Sequence, residues 1–565
     1  MLNMQKKHFV LLSAASVLLL TSCSKMGALS ADNFNVVPNP LETETGKVPA
    51  TINGMFPEKY MKKKAVVTVT PELRYTQNGQ VVAAQGNSAT FQGEKVNGND
   101  QTISYKVGGR YTMKTSFDYV PGMQKSDLYL TFDARKGAKK YNVPAVKVAT
   151  GVIATSELYK RTLAQAQPAV ATDAYQRINA QKQEANIKFL IGQANLRASE
   201  LKNNSVQEFV RLLQQINQDR EKLNLKDIEV SAYASPDGGY DINEKLANKR
   251  QQTAQGYVQQ QLKQTNNQGA NIDANYTAED WEGFQELVKA SNIQDKDVIL
   301  RVLSMYKDPE EREQQIRNIS SAFRELADGI LPQLRRSRMI INYETVGRSD
   351  EQIQSQLATD ATQLSVEEIL YAAGLTDNQS AKETAYKTAA QVYPNDARAM
   401  SNLAALEYAK GNYKTAQEYI QKALNVNANL PEAAANMGML ALQQGDIATA
   451  ENYIAKATGA NGLAEVLGNL HLAQGKYAQA EQDFANVYSN SAALAQILNK
   501  NYASAAVTLK YIKNADAITD YLKAILGART NNLDDAAAAL KSALAKDPTL
   551  ATYAANDLEL LKVAK

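Results

Sequence analysis

Few side chains in this 565-residue chain could do covalent or metal chemistry: one cysteine (Cys23), two histidines (His8 and His471) and one tryptophan. One thiol cannot close an intrachain disulfide, and two imidazoles cannot fill the usual zinc cages, so neither a metal centre nor a cofactor is expected. His471 lies between Leu470 and Leu472, the setting of a packing residue. The paired carboxylates Glu310-Glu311 and Asp534-Asp535 fall in solvated helical contexts with no converging partner. No catalytic residue is assigned, and a non-enzyme is expected. The remaining spacings suit recognition. Asn243 and Arg250 are seven apart, close to two helical turns, and so share a face. They follow Gly238-Gly239, where helix-start N–H groups favour an anion and a guanidinium could hold a carboxylate; the nearest acid is Asp237. Asn402 and Asn436 are 34 apart, each just before an apolar residue.

The amino terminus says where such chemistry would take place. Lys6 and Lys7 precede a twelve-residue apolar run, Phe9 to Leu20, too short for a permanent span. Small residues follow, in Leu20-Thr21-Ser22-Cys23. This order resembles the bacterial lipoprotein signal, which implies cleavage of residues 1–22, lipidation of Cys23 and a membrane anchor. Ser24-Lys25-Met26-Gly27 lacks the acidic signals that resemble inner-membrane retention or surface export, so an outer-membrane anchor with a periplasmic body is expected. Lys6 and Lys7 leave with the signal, so 62 basic residues against 59 acidic become 60 against 59. That balance gives no case for nucleic-acid binding.

The elements that must position these residues change along the chain. Residues 31–155 read as an antiparallel β-sandwich. Ala65–Thr70 is β-branched and expected to stop at Pro71, and Asp127–Ala134 alternates to place Leu128, Leu130, Phe132 and Ala134 on one face. Residues 156–185 are Ala/Gln-rich and read as a helical connector. From 366 to 561 the sequence is Ala-rich with a period: Gly411 recurs as Gly445, Ala416 as Ala450 and Ala423 as Ala457, each 34 residues on. Gly475 with Ala480, Tyr502 with Ala505, and Asn532 to Pro548 continue it less regularly. A 34-residue helix–turn–helix period resembles the tetratricopeptide repeat, which implies an α-solenoid of five or six units binding protein partners in its groove. The resemblance implies that Asn402 and Asn436 hydrogen-bond a peptide backbone there.

Residues 186–347 read as α+β: a strand and turn over Asn186–Leu196, a helix through Val206–Ile216, a strand Ile228–Tyr233, the turn Ser235–Gly239 and a second helix. This order resembles the peptidoglycan-binding OmpA/Pal domain, with Asn243, Leu246 and Arg250 matching its Asn-x-x-Leu-x-x-x-Arg helix. The resemblance implies that Arg250 binds a stem-peptide carboxylate while the motif's Asp binds the ammonium group. Here Ser235 stands at the Asp position, and Asp237 comes two residues late. A helical stretch from Asp280 to Leu334 and an Arg-rich strand, Arg336–Tyr343, complete the domain. The whole looks like a Bacteroidota tetratricopeptide lipoprotein of the kind called immunoreactive antigens. Two functions follow: a lipoprotein contacting peptidoglycan or an envelope partner, with Asp237, Asn243 and Arg250 as its wall site, or an accessory scaffold of an assembly or secretion complex without wall binding.

Overall fold

The computed structural model describes residues 26–293 and 295–563. The expected signal segment 1–22 and the lipidation residue Cys23 lie outside the described residues. The chain forms two compact units, one built from residues up to 172 together with 376 onward, the other from 173–375. The β-sandwich and the repeat array, expected as separate domains, therefore belong to one unit.

Among the described residues, the amino-terminal part of that unit holds eleven strands. β1 (Phe34–Val37), β3 (Lys47–Phe56) and β8 (Gly109–Asp118) form one sheet. The second sheet runs β2 (Leu41–Glu42), β11 (Val146–Ile153), β9 (Ser126–Lys136), β4 (Val66–Gln77), β6 (Ala89–Gly93), β7 (Gln101–Ile103), with β5 (Gln80–Gln85) beside β4 and β10 (Lys139–Tyr141) beside β9. The pairing is antiparallel except at β2–β11 and β6–β7, which are parallel. Leu128, Leu130 and Ala134 are buried in the core between the sheets, with Phe132 packed partly against it, as their alternation requires. β4 does not stop at Pro71. It continues to Gln77 because Pro71 falls where the neighbouring edge changes from β6 to β5, and only its carbonyl is used there, by the Gly86 N–H.

The expected helical connector is helical only at its start, in the turn Thr155–Leu158 and the helix Tyr159–Leu163. Residues 166–176 run without regular secondary structure, and from Ile178 the chain is already strand. Ala and Gln favour helix intrinsically, but Pro168 disfavours helix at the residue before it, and the backbone groups beyond it are taken by partners described below.

In the array, five helix pairs follow one another: Ala397–Ala409 with Tyr413–Val426, Pro431–Gln443 with Ile447–Ile454, Leu463–Ala473 with Tyr477–Asp483, Asn490–Leu498 with Tyr502–Tyr511, and Ala517–Arg529 with Leu533–Lys546. The fourth residue of every second helix is a fully buried alanine: Ala416, Ala450, Ala480, Ala505 and Ala536. Two residues before each second helix the backbone is left-handed, at Gly411, Gly445, Gly475, Lys500 and Asn531. Lys500 and Asn531 thus fill a position where glycine carries no steric penalty, which explains why the last two repeats are hard to read from composition. The helices come close because their facing residues are small. A Cβ on Gly468, for instance, would lie 2.6 Å from the Phe484 ring.

The second unit holds a four-stranded sheet in the order β12 (Ile178–Lys188), β15 (Arg336–Val346), β13 (Leu223–Tyr233), β14 (Asn271–Thr277), with only β13–β14 parallel. Its first strand begins at Ile178, earlier than the expected Asn186. Helices Asn204–Gln218 and Tyr240–Gln264 pack on the sheet through Val206, Phe209, Leu213, Val258 and Leu262. The helical stretch expected from Asp280 to Leu334 is a series of short helices, beginning Trp281–Ala290, Lys296–Met305 and Pro309–Asn318, around a separate core of Phe284, Val288, Ile299 and Leu334. The helix Val366–Gly374, expected in the array, belongs to this unit. Its Glu368 accepts from Arg348 Nη1 through both carboxylate oxygens, at 2.9 and 3.1 Å.

Candidate functional site

Of the three residues assigned to wall binding, Arg250 departs most from expectation. Its side chain is fully buried. Nε donates to the Gln193 carbonyl at 3.0 Å, Nη1 to the Tyr233 carbonyl at 2.8 Å and Nη2 to the Leu190 carbonyl at 3.4 Å. The Phe189 ring lies 5.3 Å from the guanidinium carbon. Burial, reinforced by the charge of Arg335, pushes the guanidinium down to about 10. Asn243 shares the face as its spacing requires, but it too is buried, and its Nδ2 donates to the Gly238 carbonyl at 2.7 Å. Asp237 pairs with Arg335 at 3.0 Å, not with Arg250, and Arg335 also donates to the Ser235 hydroxyl at 3.1 Å. Arg317, from the helical insertion, donates to the Asp237 carbonyl at 2.9 Å. The anion-gripping pair read from spacing is therefore committed to the protein's own backbone, and the acid has an internal cation. Sequence reasoning misses Arg335. Its signal is the Arg-rich approach to β15, whose pattern points to a strand and not to a partner of the turn.

The array presents the second candidate. Asn402 accepts the Ala171 N–H at 2.8 Å and donates to the Ala171 carbonyl at 2.9 Å. Asn436 does the same to Ala169, at 2.8 Å in both directions. Each asparagine thus holds both backbone groups of one residue, the peptide-backbone contact expected of this position, but the peptide is the chain's own connector. In extended backbone successive residues point opposite ways, so residues two apart meet asparagines one repeat apart. Arg398 donates to the Thr172 carbonyl, Asn461 to Val170, Tyr408 to Leu163 at 3.0 Å, and Asn490 to the Gln165 side chain at 2.9 Å. Further back, Tyr553 donates to the Ala154 carbonyl at 2.9 Å. Residues 154–172 thus meet the array from its last helices to its first complete repeat, running opposite to it. Leu158, Leu163, Ala166, Ala169 and Ala171 are buried along the way.

The same position in the other repeats, nine residues before the left-handed turn residue, holds Val466, Ser491 and Leu522, none of which offers an amide. The two-point grip is therefore confined to the first two repeats. Nearby Glu465 is buried, and desolvation raises its carboxyl to about 7 against the opposing hydrogen bonds of Ser489 and Asn469. His471 pairs with Asp483. Among the described residues no group of three His, Cys, Asp or Glu side chains could hold a metal ion, and no helix is long and apolar enough to cross a membrane.

No family model and no curated protein matches the chain. Solved structures that share similarity include a tetratricopeptide repeat protein from Parabacteroides merdae, at 15% identity and a TM-score of 0.27, covering 37% of this chain and 90% of that one. PilF of Pseudomonas aeruginosa gives 17% identity and 0.26, covering 38% and 99%. A tetratricopeptide protein of Thermus thermophilus gives 18% and 0.18, covering 38% and 100%. The repeat assignment rests on the chain's own features: the helix pairs, the buried alanine of every second helix and the left-handed turn before it.

Proposed function

We propose that this chain is a non-catalytic scaffold of the bacterial cell envelope, anchored at the outer membrane through lipidated Cys23, whose repeat array binds extended polypeptide. The observation that carries the array's role is the pair of two-point asparagine bonds to Ala169 and Ala171. They read backbone and not side chain, so the groove recognises an extended segment with small residues and free N–H groups at two alternate positions. Its occupant is residues 163–172 of the same chain. A foreign segment enters only by replacing those bonds.

For the central unit, the β-α-β-turn-α order and the Asn243/Arg250 face support the OmpA/Pal resemblance. The enclosure of Arg250 by three carbonyls and the Asp237–Arg335 pair favour the second of the two functions, an accessory scaffold in an assembly or secretion complex that does not bind wall. Co-sedimentation with purified sacculi tests this. The full processed chain is expected to stay in the supernatant; sedimentation with wall that is lost on Asp237→Asn would restore the peptidoglycan reading. Incorporation of radiolabelled palmitate, lost on Cys23→Ala, is expected of the anchor, and an unlabelled wild type would remove it. Crosslinking in the native envelope is expected to recover protein partners.

A further inference from the structure

The β-sandwich carries a cluster of cations that neither candidate site uses. Lys62, Lys63 and Lys64 lie on the loop entering β4, and Lys136 and Lys139 face each other across the β9–β10 hairpin. Lys62 and Lys139 share one ring: their ammonium groups lie 5.1 and 5.6 Å from the centre of Tyr141. Lys95 joins the group through its N–H, which donates to the Lys63 carbonyl at 2.6 Å. Lys63, Lys64, Lys95, Lys136 and Lys139 are exposed and Lys62 half-buried, and no carboxylate pairs with any of the six among the described residues. The acids close by are engaged elsewhere, Asp133 with Arg135 and Glu94 with the Ser104 hydroxyl. In a chain with a net charge of only +3, this is a local concentration of one sign.

Its position in the fold says what would meet it. The Tyr60 hydroxyl, two residues before Lys62, donates to the Gly27 carbonyl at 2.8 Å, and Met26 is buried in the sandwich core. The chain's first described residues are thus fastened beside the lysine loop. Cys23 precedes Met26 by three residues in the sequence.

We infer that Lys62–Lys64, Lys95, Lys136 and Lys139 form a docking face for an anionic membrane surface, the lipid headgroups of the leaflet that holds the amino terminus. The orientation rests on the anchor proposed above; the affinity of the patch for anionic lipid does not. Each cation near such a surface adds about 1 kcal/mol, attenuated by salt, and a lipid with a basic patch makes a two-signal attachment. Tyr141, half-buried between two lysines, supplies an aromatic ring at the same face.

The test uses the processed chain carrying Cys23→Ala, which has no lipid, so its outcome is independent of the palmitate experiment. At low salt it is expected to sediment with vesicles rich in phosphatidylglycerol, not with pure phosphatidylcholine, and to be released by salt. Lys62→Glu with Lys63→Glu and Lys64→Glu is expected to weaken this at least about 100-fold, three cations at about a factor of ten for each 1.4 kcal/mol, with an unchanged melting temperature. Lys136→Glu with Lys139→Glu, on the other strand pair, is expected to act the same way if the loop variant should misfold. Equal binding to both vesicles, no binding to either, or undiminished binding by both folded variants overturns the proposal. So does retention by an oligonucleotide without retention by vesicles. Vesicle binding in a chain that takes no palmitate would leave the patch standing and remove the anchor.

Discussion

Arg250 in the central unit and the asparagine pair in the array are both marked by spacing as ligand-binding, and both are spent on the protein's own backbone, in different ways. A guanidinium has only donors, so Arg250 collects three carbonyls and keeps an unneutralised charge in a buried place, which lowers its proton affinity. A carboxamide has a donor and an acceptor, so Asn402 and Asn436 each close a complete exchange with one residue at no charge cost. The lesson is that spacing identifies residues aimed at a shared target but not whether the target is foreign.

The largest expected effect comes from removing both groove amides. Asn402→Ala with Asn436→Ala breaks four bonds and leaves four connector groups unsatisfied, a loss of about 4–6 kcal/mol at about 1–1.5 each. Urea denaturation reads it, and elastase, which cuts after alanine, should gain access to residues 166–171. A loss below about 2 kcal/mol would mean the connector is held by its apolar side chains instead. Arg250→Ala comes next, at about 3–5 kcal/mol, because three carbonyls lose their donor and a cavity remains. The only tryptophan, Trp281, lies in the same unit and reports its unfolding by fluorescence.

Glu465 sharpens the contrast from the array's side, since it is a buried group whose charge opposes folding. Its folded carboxyl titrates near 7 against an ordinary 4.5, so the penalty is absent below about pH 4.5, grows as the pH rises to 7 and is constant above. Glu465→Gln is therefore expected to stabilise the chain by about 3 kcal/mol at pH 8 and to change nothing at pH 4, because each tenfold change in proton affinity is worth about 1.4 kcal/mol. Equal effects at both values would show that Glu465 is not buried in the folded state. The smallest effect belongs to Asn469→Ala. This asparagine lies three residues nearer its turn glycine than the gripping pair and donates to the Glu465 carbonyl of its own helix at 2.8 Å, so about 1 kcal/mol is expected, with no change in connector proteolysis.

What the sequence makes legible follows from how local each signal is. The 34-residue interval, the turn glycines and the alternation in β9 are short-range patterns, and the elements form where they point. The last repeats are harder because Lys500 and Asn531 replace glycine in the same left-handed turn. The connector misleads because its helix propensity is local while its bonds to Asn402 and Asn436 span 231 and 267 residues. The expected wall-binding trio is half legible: Asn243 and Arg250 do share a face, but Arg250 is enclosed by carbonyls at 190, 193 and 233, and Asp237 is taken by Arg335, which no motif links to the turn.

Those same separations impose an order of assembly. The connector is synthesised more than two hundred residues before the asparagines that hold it, so it must wait, unpaired, while the central unit and the first repeats emerge. Closing so long a loop carries an entropic cost that slows it. The repeats, by contrast, can pair helix with helix as they appear. The expected last event in folding is then a capture: the array taking up an extended segment that has been available since the first third of the chain was made.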